Sequence, residues 1–181
     1  MSLNEIKSVR DKAECLFSAK EVECALDQIA HAITKRLAQS NPLLLAVMNG
    51  GMFTASMLLA RLNFPLEVDY IHLSRYGDET SGGEILWTKQ PPPSVKDRTV
   101  LIVDDLLDLG ITLKAAVGAC YGAHARSVLT AVLLTKNLKR PDGLSQTDFS
   151  GLIGPDRYVF GCGMDYKNYW RNCQGIFAVA R

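Results

Sequence analysis

Two uninterrupted apolar runs most constrain the fold of this chain. Leu43–Met48 contains no polar residue, and residues 99–103 form a second run that is rich in β-branched side chains. Such runs are typical of strands buried on both faces, as in parallel sheets covered by helices. Helical patterns lie between these strands and their neighbours in the sequence. The alternation predicts an α/β fold built around a parallel sheet that is flanked by helices.

The other predicted elements follow from hydrophobic periodicity. Apolar residues recur at helical spacing after Ser18, and Ser18 with Glu21 has the form of a capping box, so a helix is predicted to begin near Ala19. Gly122 is predicted to be the C-cap of a later helix. The further helices are predicted over residues 52–62 and 112–121, and the further strands over residues 66–73, 127–134, 157–160 and 175–179.

Residues 74–93 interrupt the regular patterns. The segment is polar and glycine-rich, has a strand-like patch only at residues 85–87, and ends in three consecutive prolines. A segment of this length inside a compact domain is usually disordered or a functional lid. A β-hairpin that carries a surface loop explains the local sequence equally well, so both interpretations stay open.

The composition excludes several functional classes. The chain has 181 residues, with 20 Lys and Arg against 19 Asp and Glu, and a formal net charge of +1. This balance provides no broad basic surface for sequence-independent binding to nucleic acid or to an anionic membrane. No stretch approaches the roughly 20 apolar residues of a membrane-spanning helix, and the first residues lack the basic-then-apolar order of a secretory signal. We therefore expect a cytoplasmic, single-domain protein with neither nucleic acid nor membrane as a partner.

The cysteines and histidines do not indicate a metal or disulfide site. The chain has five cysteines, with no Cys-x-x-Cys pair and no histidine at zinc-ligand spacing. We expect free thiols in a reducing compartment, and the three scattered histidines receive no catalytic role.

Three acidic residues follow the strand predicted at residues 99–103. In a parallel sheet, ligands bind in the crevice beyond the carboxyl ends of the strands, where Asp104, Asp105 and Asp108 are predicted to lie. Asp104 and Asp105 are acceptors suited to a vicinal diol. A simpler interpretation is that the acids only cap the next helix. Clustered carboxylates repel one another, however, unless ligand hydroxyls or a cation relieve the repulsion, which favours a binding site.

The next four residues predict a phosphate site. Leu109, Gly110, Ile111 and Thr112 lie at the predicted start of a helix, where backbone N–H groups, the Thr112 hydroxyl and the helix dipole can hold an anion. A phosphate beside a vicinal diol is the chemistry of a ribose 5-phosphate. The stretch has neither the Walker A pattern nor the dinucleotide-binding glycine pattern.

Residues 100–113 resemble the phosphoribosyl pyrophosphate (PRPP) motif of type I phosphoribosyltransferases. In both, apolar residues lead into two acids, two apolar residues, an Asp and a small-residue phosphate loop ending in Thr. Further segments resemble the hypoxanthine-guanine phosphoribosyltransferases in the family's order. They are residues 48–51, similar to the pyrophosphate loop; residues 74–76, similar to the mobile lid; and Lys136 with residues 157–171, similar to the purine-binding segments.

The resemblance implies the type I phosphoribosyltransferase fold for residues 1–181 as a single domain. The implied core spans about residues 40–150, with a mobile lid at 74–93. A small hood subdomain would come from about residues 1–17 and 151–181. Members of the family are usually dimers or tetramers, so a homodimer or homotetramer is expected.

The resemblance also implies roles for the matching residues. Asp108 would be the general acid/base near purine N7, and Asp104 and Asp105 would hold the ribose hydroxyls. The 5-phosphate would lie in the cradle of residues 109–112. In the base site, Lys136 would contact the 6-oxo oxygen, Tyr158 would stack on the ring and Val159 would bind the base edge through its backbone. Asp165 is also assigned to the base site.

The remaining implied roles concern pyrophosphate and metal. Pyrophosphate and lid contacts are expected from Asn49, Gly50, Ser74, Arg75, Tyr76 and Arg171. Mg²⁺ is the expected cofactor, and its site is expected at Asp104, Asp105 and Asp165.

Three positions depart from the family pattern. Asn49 stands where many members have a Lys, which removes a cationic contact from the pyrophosphate loop. Leu109 and Ile111 stand where the phosphate loop commonly has Thr and Lys. Phosphate binding is therefore expected to depend more on backbone N–H groups and on Thr112.

The implied function is purine salvage. The enzyme would transfer the 5-phosphoribosyl group from PRPP to N9 of hypoxanthine or guanine and release pyrophosphate. Two alternatives remain open: a PRPP-sensing regulator with the same fold, which would bind nucleic acid or a partner, and a phosphoribosyltransferase for xanthine or another base.

Overall fold

The computed structural model describes residues 1–76 and 84–180. None of the helices in these ranges is both long enough and apolar enough to cross a membrane. The helices are α1 (Leu3–Lys12), α2 (Ala19–Leu37), α3 (Gly51–Leu59) and α4 (Ile111–Gly122), and a short 3₁₀ turn spans Pro93–Val95. The strands are β1 (Glu14–Phe17), β2 (Leu43–Met48), β3 (Glu67–Tyr76), β4 (Glu84–Lys89), β5 (Thr99–Leu107), β6 (Ser127–Lys136), β7 (Phe149–Gly154), β8 (Val159–Phe160) and β9 (Ile176–Ala178).

Six strands form the large sheet, in the order β4-β3-β2-β5-β6-β7. All neighbours are parallel except β3 and β4. Helices α2 and α3 pack on one face of the sheet, and α4 packs on the other. The two apolar runs are the central strands β2 and β5, and their apolar residues are buried between these layers. The predicted α/β fold with a flanked, mostly parallel sheet is confirmed.

Helix α2 begins where its capping residues predict. The Glu21 amide donates to Ser18 Oγ, and the Ser18 amide donates in return to Glu21 Oε2, which completes the capping box. One face of the helix then packs against the sheet. The buried residues of this face are Val22, Ala25, Leu26, Ile29, Ala30, Ile33 and Leu37.

A second sheet joins the two ends of the chain. Its three antiparallel strands have the order β1-β9-β8. The Trp170 indole N–H donates to the Ile6 carbonyl oxygen at 2.9 Å, which attaches α1 to the C-terminal segment. Arg157 pairs with Glu14 and donates to the Val179 carbonyl oxygen at 3.0 Å. The N- and C-terminal segments thus form the small hood beside the large sheet.

The large sheet extends beyond the expected core at residues 40–150. Strand β7 pairs with β6 as far as Gly154, so the hood segment begins after Gly154 rather than at residue 151. Helix α2 also packs against the large sheet, next to β7. A Cβ on Gly151 would lie 2.8 Å from the Leu133 carbonyl oxygen and 2.9 Å from Ile29 Cδ1. The glycines that weaken the strand pattern of β7 therefore allow close packing at the sheet edge.

Strand β5 and helix α4 are among the elements that end later than predicted. Strand β5 continues to Leu107, so Asp104 and Asp105 lie on the strand itself rather than in a following turn. Helix α4 continues through Gly122 and is capped by Ala123, so the predicted Gly122 C-cap is wrong. The left-handed conformation expected of that glycine is instead adopted by His124, with φ of 63°.

Strands β3 and β4 contain most of the described residues of the predicted lid, and residues 90–93 follow β4, with Pro93 starting the 3₁₀ turn. The two strands pair antiparallel, with Arg75 opposite Ile85 and Ser74 opposite Leu86. This is the pairing expected for the two arms of a hairpin. Residues 77–83 lie outside the described residues, and lid motion stays a prediction.

Candidate active site

The carboxyl end of β5 carries two adjacent aspartates. Asp104 is buried, and its Oδ1 accepts a hydrogen bond from the Asp105 amide at 2.9 Å. Burial, together with the neighbouring charge of Asp105, raises the pKa of Asp104 well above its ordinary value. Burial also raises the pKa of Asp105, and this effect is opposed in part by the positive charge of Arg171. The charged form of the pair is therefore unfavourable in this site, and hydrogen bonds from ligand hydroxyls or a nearby cation would stabilise it.

Three glycines let separate chain segments close around these acids. A Cβ on Gly50 would lie 2.1 Å from Asp105 Oδ2, and one on Gly51 would lie 2.4 Å from the Val103 carbonyl oxygen. Gly163 has φ of +104°, and a Cβ there would meet the Gly50 carbonyl oxygen at 2.4 Å. The turn after β2 and the segment after β8 thus pack directly against the end of β5, an approach that larger residues would prevent.

The loop between β5 and α4 leaves backbone N–H groups available to an anion. Gly110, with φ of 74°, is the N-cap of α4 and provides no side-chain cap. Its carbonyl oxygen accepts hydrogen bonds from the Lys114 and Leu144 amides, each at 3.0 Å, which fixes the loop. The N–H groups of residues 111–113 have no acceptor within the helix. With the Thr112 hydroxyl, they have the character of an anion cradle.

A buried lysine at the end of β6 faces this loop. Lys136 Nζ lies 3.0 Å from Asp108 Oδ2 and 3.6 Å from Asp156 Oδ1. Lys136 is only 8% exposed, so its ammonium group is held between two carboxylates with little access for water. This ion pair brings together the residues that the resemblance assigns to acid/base chemistry and to the base.

Arg140 fixes the ends of β5 and β6 relative to each other. Its guanidinium donates to four backbone carbonyl oxygens. Two of them belong to the end of β5 and the residue after it, and the other two belong to the end of β6 and the residues after it. The acceptors are Leu107, Asp108, Lys136 and Leu138. Sequence analysis did not identify Arg140, because an Arg before Pro141 in a polar stretch is typical of a surface loop.

The segment after β8 places a second ion pair at the site. Arg171 donates to the Gly163 carbonyl oxygen at 2.6 Å, and its guanidinium lies 2.6 Å from Asp165 Oδ1. The other oxygen, Asp165 Oδ2, accepts from the Asn168 amide at 2.7 Å. Nearby, Tyr158 is 55% exposed, and its ring packs in a T-shaped arrangement with the Tyr166 ring, with the ring centroids 5.6 Å apart.

Two adjoining cavities meet at residues 105, 106 and 108. The first has a volume of about 320 Å³ and the second about 280 Å³. The first is lined by Gly50, Asp105, Leu106, Asp108, Lys136, Tyr158, Val159, Met164, Asp165 and Arg171. The second is lined by Arg75, Asp104, Asp105, Leu106, Asp108, Leu109, Gly110, Ile111, Thr112 and Leu113.

Most of the predicted site residues line these cavities, but two described ones do not. Asn49 and Ser74 are exposed and line neither cavity. The side chain of Tyr76 lies outside the described part of the structure. Sequence analysis missed the apolar lining residues, because they are indistinguishable from ordinary core positions in the sequence. They are Leu106, Leu113 and Met164.

The three acids predicted to hold a metal do not form a ready-made cluster. Within residues 1–76 and 84–180, no group of three or more His, Cys, Asp or Glu side chains is placed to hold an ion. Both carboxylate oxygens of Asp165 are engaged, one by Arg171 and one by the Asn168 amide. The adjacent pair Asp104 and Asp105 remains available as a source of carboxylate ligands.

Comparison with known proteins places the chain in a family. The phosphoribosyl transferase domain family matches residues 14–167. The hypoxanthine-guanine phosphoribosyltransferase of Bacillus subtilis is 31% identical over 163 residues, covering 90% of each chain. The hypoxanthine-guanine-xanthine phosphoribosyltransferase of Tritrichomonas foetus is 26% identical over 170 residues, covering 94% of this chain and 93% of that protein.

A solved structure has the same fold. The hypoxanthine phosphoribosyltransferase from Staphylococcus aureus superimposes with a TM-score of 0.88 at 24% identity, covering 99% of this chain and 97% of that one. The family match includes the acidic end of β5, the loop before α4 and Lys136, which together line the two cavities. This chain therefore belongs to the phosphoribosyl transferase domain family.

Proposed function

We propose that this enzyme transfers the 5-phosphoribosyl group from PRPP to N9 of hypoxanthine or guanine in purine salvage, yielding the nucleoside 5′-monophosphate and pyrophosphate. The main supporting observation is that two cavities of different chemistry meet at Asp105 and Asp108. One contains a helix N-terminus suited to a phosphate. The other contains a buried lysine and an exposed aromatic ring suited to a base. The names of the relatives favour the same reaction.

The first cavity suits a 6-oxopurine. Lys136 Nζ is a cationic donor in a nearly dry position and would bind the 6-oxo oxygen of the base. The 6-amino group of adenine is itself a donor, so Lys136 would disfavour adenine. The Tyr158 ring would stack on the base, and the Val159 backbone would bind its edge.

The second cavity suits the ribose 5-phosphate of PRPP. Asp104 and Asp105 would accept hydrogen bonds from the ribose hydroxyls. The 5-phosphate would bind the N–H groups at the start of α4 and the Thr112 hydroxyl. Gly50 and Arg171 line the first cavity and would face the pyrophosphate of PRPP. Arg171 would bind the pyrophosphate through charge-assisted hydrogen bonds.

Asp108 lies where both cavities meet and would manage the purine proton. As N9 attacks the anomeric carbon and pyrophosphate leaves, Asp108 would accept the proton from N7 of the base. Displacement at an anomeric carbon passes through an oxocarbenium-like transition state, which nearby carboxylates stabilise. Lys136 would leave Asp108 for the 6-oxo oxygen when the base binds, and Asp156 would remain its second carboxylate partner.

The residues of the site fit a Mg²⁺ ion that is held largely by the substrate. Mg²⁺ keeps several waters and binds one or two carboxylates together with substrate phosphates, rather than a cage of protein ligands. Asp104 and Asp105 offer such carboxylates, and burial raises the pKa of each, so a cation beside them would stabilise their charge. Mg²⁺ would supply charge neutralisation of the pyrophosphate. Asp165 would support this side of the site by orienting Arg171.

We also propose that the protein forms a homodimer or homotetramer. Val68, Tyr70 and Leu86 lie on one face of β3 and β4 and are about half exposed. Apolar surface of this kind favours association with a second copy. Light scattering after size-exclusion chromatography should give a multiple of the 19.9 kDa chain mass; a single-chain mass would contradict the proposal.

The transfer reaction can be tested directly. The purified protein is incubated with PRPP, Mg²⁺ and radiolabelled hypoxanthine, and labelled nucleotide and pyrophosphate are quantified. Equal amounts of inosine 5′-monophosphate and pyrophosphate are expected, with no product when the divalent cation is chelated. PRPP binding without any nucleotide formation would contradict the proposal and favour a PRPP-sensing regulator.

A further inference from the structure

We propose that Arg75, on β3, supplies the positive charge that binds the 5-phosphate of the substrate. This inference rests on the proposed phosphoribosyl transfer and deepens it, because it identifies how a loop without a basic side chain holds a phosphate. The resemblance assigned Arg75 to the pyrophosphate and lid contacts. The structure places it in the other cavity, with the start of α4.

The charge balance of that cavity makes Arg75 important. Arg75 is the single cationic side chain among the described residues that line it, and the cavity also contains Asp104, Asp105 and Asp108. A phosphate that enters beside three carboxylates meets strong repulsion at short range. The helix N-terminus contributes only about half a positive charge. A full positive charge is therefore needed on the phosphate side of the cavity.

The loop itself cannot provide this charge. Leu109 and Ile111 stand where the resembled phosphate loop commonly has Thr and Lys. The first basic residue of α4, Lys114, is exposed and donates to the Asp142 carbonyl oxygen at 2.9 Å. It does not line the cavity. A neighbouring strand is thus the source of the cation.

The position of Arg75 on β3 directs it toward the start of α4. Side chains alternate along a strand, so Arg75 shares a face with Ile71 and Leu73. Both residues pack in the core on the side of the sheet that α4 covers, together with Leu113. The arginine is the next residue on that face at the carboxyl end of β3, which places its guanidinium beside the helix N-terminus.

One donor of Arg75 lacks an acceptor. Its Nε is buried and has no hydrogen-bond partner among residues 1–76 and 84–180. A buried donor on a charged group is unfavourable when it is left unpaired. The same N–H with a terminal guanidinium N–H forms the fork that binds phosphate oxygens in pairs. A phosphate in this cavity would satisfy the donor and neutralise the charge together.

The experiment separates the 5-phosphate from the pyrophosphate by using different probes. Isothermal titration calorimetry measures the dissociation constants of inosine 5′-monophosphate, inosine, and Mg²⁺-pyrophosphate for the wild-type protein and Arg75→Gln. The nucleotide carries only the 5-phosphate, and inosine carries no phosphate. Arg126→Gln is the matched control, because Arg126 is exposed and lines neither cavity. Thermal unfolding of each variant verifies folding.

Arg75→Gln should weaken binding of the nucleotide about 10- to 100-fold, as expected for the loss of a charge-assisted contact. Binding of inosine and Mg²⁺-pyrophosphate should not change, and Arg75→Lys should recover part of the loss. Unchanged nucleotide affinity, or weakening for pyrophosphate alone, would overturn the inference while wild-type transfer activity still supported the proposed function. Failure of the wild-type protein to bind the nucleotide at all would overturn both.

Discussion

Lys136 and Asp108 form an ion pair in the site, with Nζ and Oδ2 3.0 Å apart, although one ends β6 and the other lies in the loop after β5. The proposed reaction requires this pair to open, because the base needs Lys136 for its 6-oxo oxygen and Asp108 for its N7 proton. Asp156, at 3.6 Å from the same Nζ, lets Lys136 keep a carboxylate partner after opening. The ion pair therefore holds both groups near the position of the base before it binds.

Replacing Lys136 should reduce the use of 6-oxopurines. Lys136→Gln removes the charged donor, and the loss of such a hydrogen bond corresponds to about 10- to 150-fold in kcat/KM for hypoxanthine. Steady-state kinetics at saturating PRPP measure the effect. Lys139→Gln is the control, since Lys139 is an exposed neighbour outside both cavities. Equal effects of the two substitutions would argue against a base contact by Lys136.

Asp108→Asn should separate turnover from binding. Asparagine keeps the shape and can still accept a hydrogen bond from Lys136, but it cannot take up a proton. We expect kcat to fall about 10²- to 10⁴-fold, the usual contribution of a general acid/base, with PRPP affinity nearly unchanged. Stopped assays and calorimetry measure the two quantities, and the exposed Asp142→Asn serves as control. Near-normal turnover would exclude Asp108 from proton transfer.

Asp104→Asn should stabilise the protein while weakening PRPP binding. A carboxyl group whose pKa is raised on folding holds its proton more tightly in the folded state, so its stabilising effect is lost as the pH rises from the ordinary aspartate pKa through the raised one. The amide has no such charge. The variant should therefore unfold at a higher temperature than wild type at neutral pH. Each kcal/mol gained in the free energy of unfolding corresponds to a rise of about 2–4 °C.

The pH dependence provides the internal control for this substitution. The difference in unfolding temperature should shrink as the pH falls from the raised pKa of Asp104 to the ordinary aspartate pKa, and it should vanish below the ordinary value, where Asp104 is protonated in both states. A variant that is less stable than wild type at neutral pH would show that Asp104 is not an uncompensated charge.

A pair of glycine substitutions tests the close packing around the acids. Gly163→Ala places a Cβ 2.4 Å from the Gly50 carbonyl oxygen at φ of +104°, so we expect destabilisation by at least about 1–3 kcal/mol. Gly118→Ala is the matched control, because nothing lies within 4 Å of its Cβ and the residue is inside α4. It should stabilise the protein by about 0.5–1 kcal/mol. Urea denaturation that ranks the two variants in the opposite order would contradict the described packing.

The elements that the sequence predicts well are those determined by local residues. Helix α2 begins at its capping box, and β2 and β5 follow from apolar runs that only a doubly covered strand would bury. Strands β1 and β7 escaped prediction. Strand β1 has only four residues, and β7 contains glycines that weaken its strand propensity. The formation of both strands therefore depends on pairing with distant partners.

The site residues also divide into those that a local sequence pattern predicts and those that depend on distant parts of the chain. Asp104, Asp105 and the cradle at 109–112 lie in one continuous stretch, so their pattern indicates a ribose-phosphate site without knowledge of the fold. Arg140 and Arg75 have no such local pattern. Their positions result from strand order and register, which bring β3 and the end of β6 to the start of α4, and only the folded chain shows them.

The selectivity between bases tests the central claim most directly. Initial rates with PRPP and Mg²⁺ give kcat/KM for hypoxanthine, guanine, xanthine and adenine on the wild-type protein. A site that places a buried lysine against the 6-position predicts a much higher kcat/KM for hypoxanthine or guanine than for adenine. A higher kcat/KM for adenine than for both hypoxanthine and guanine would contradict the account.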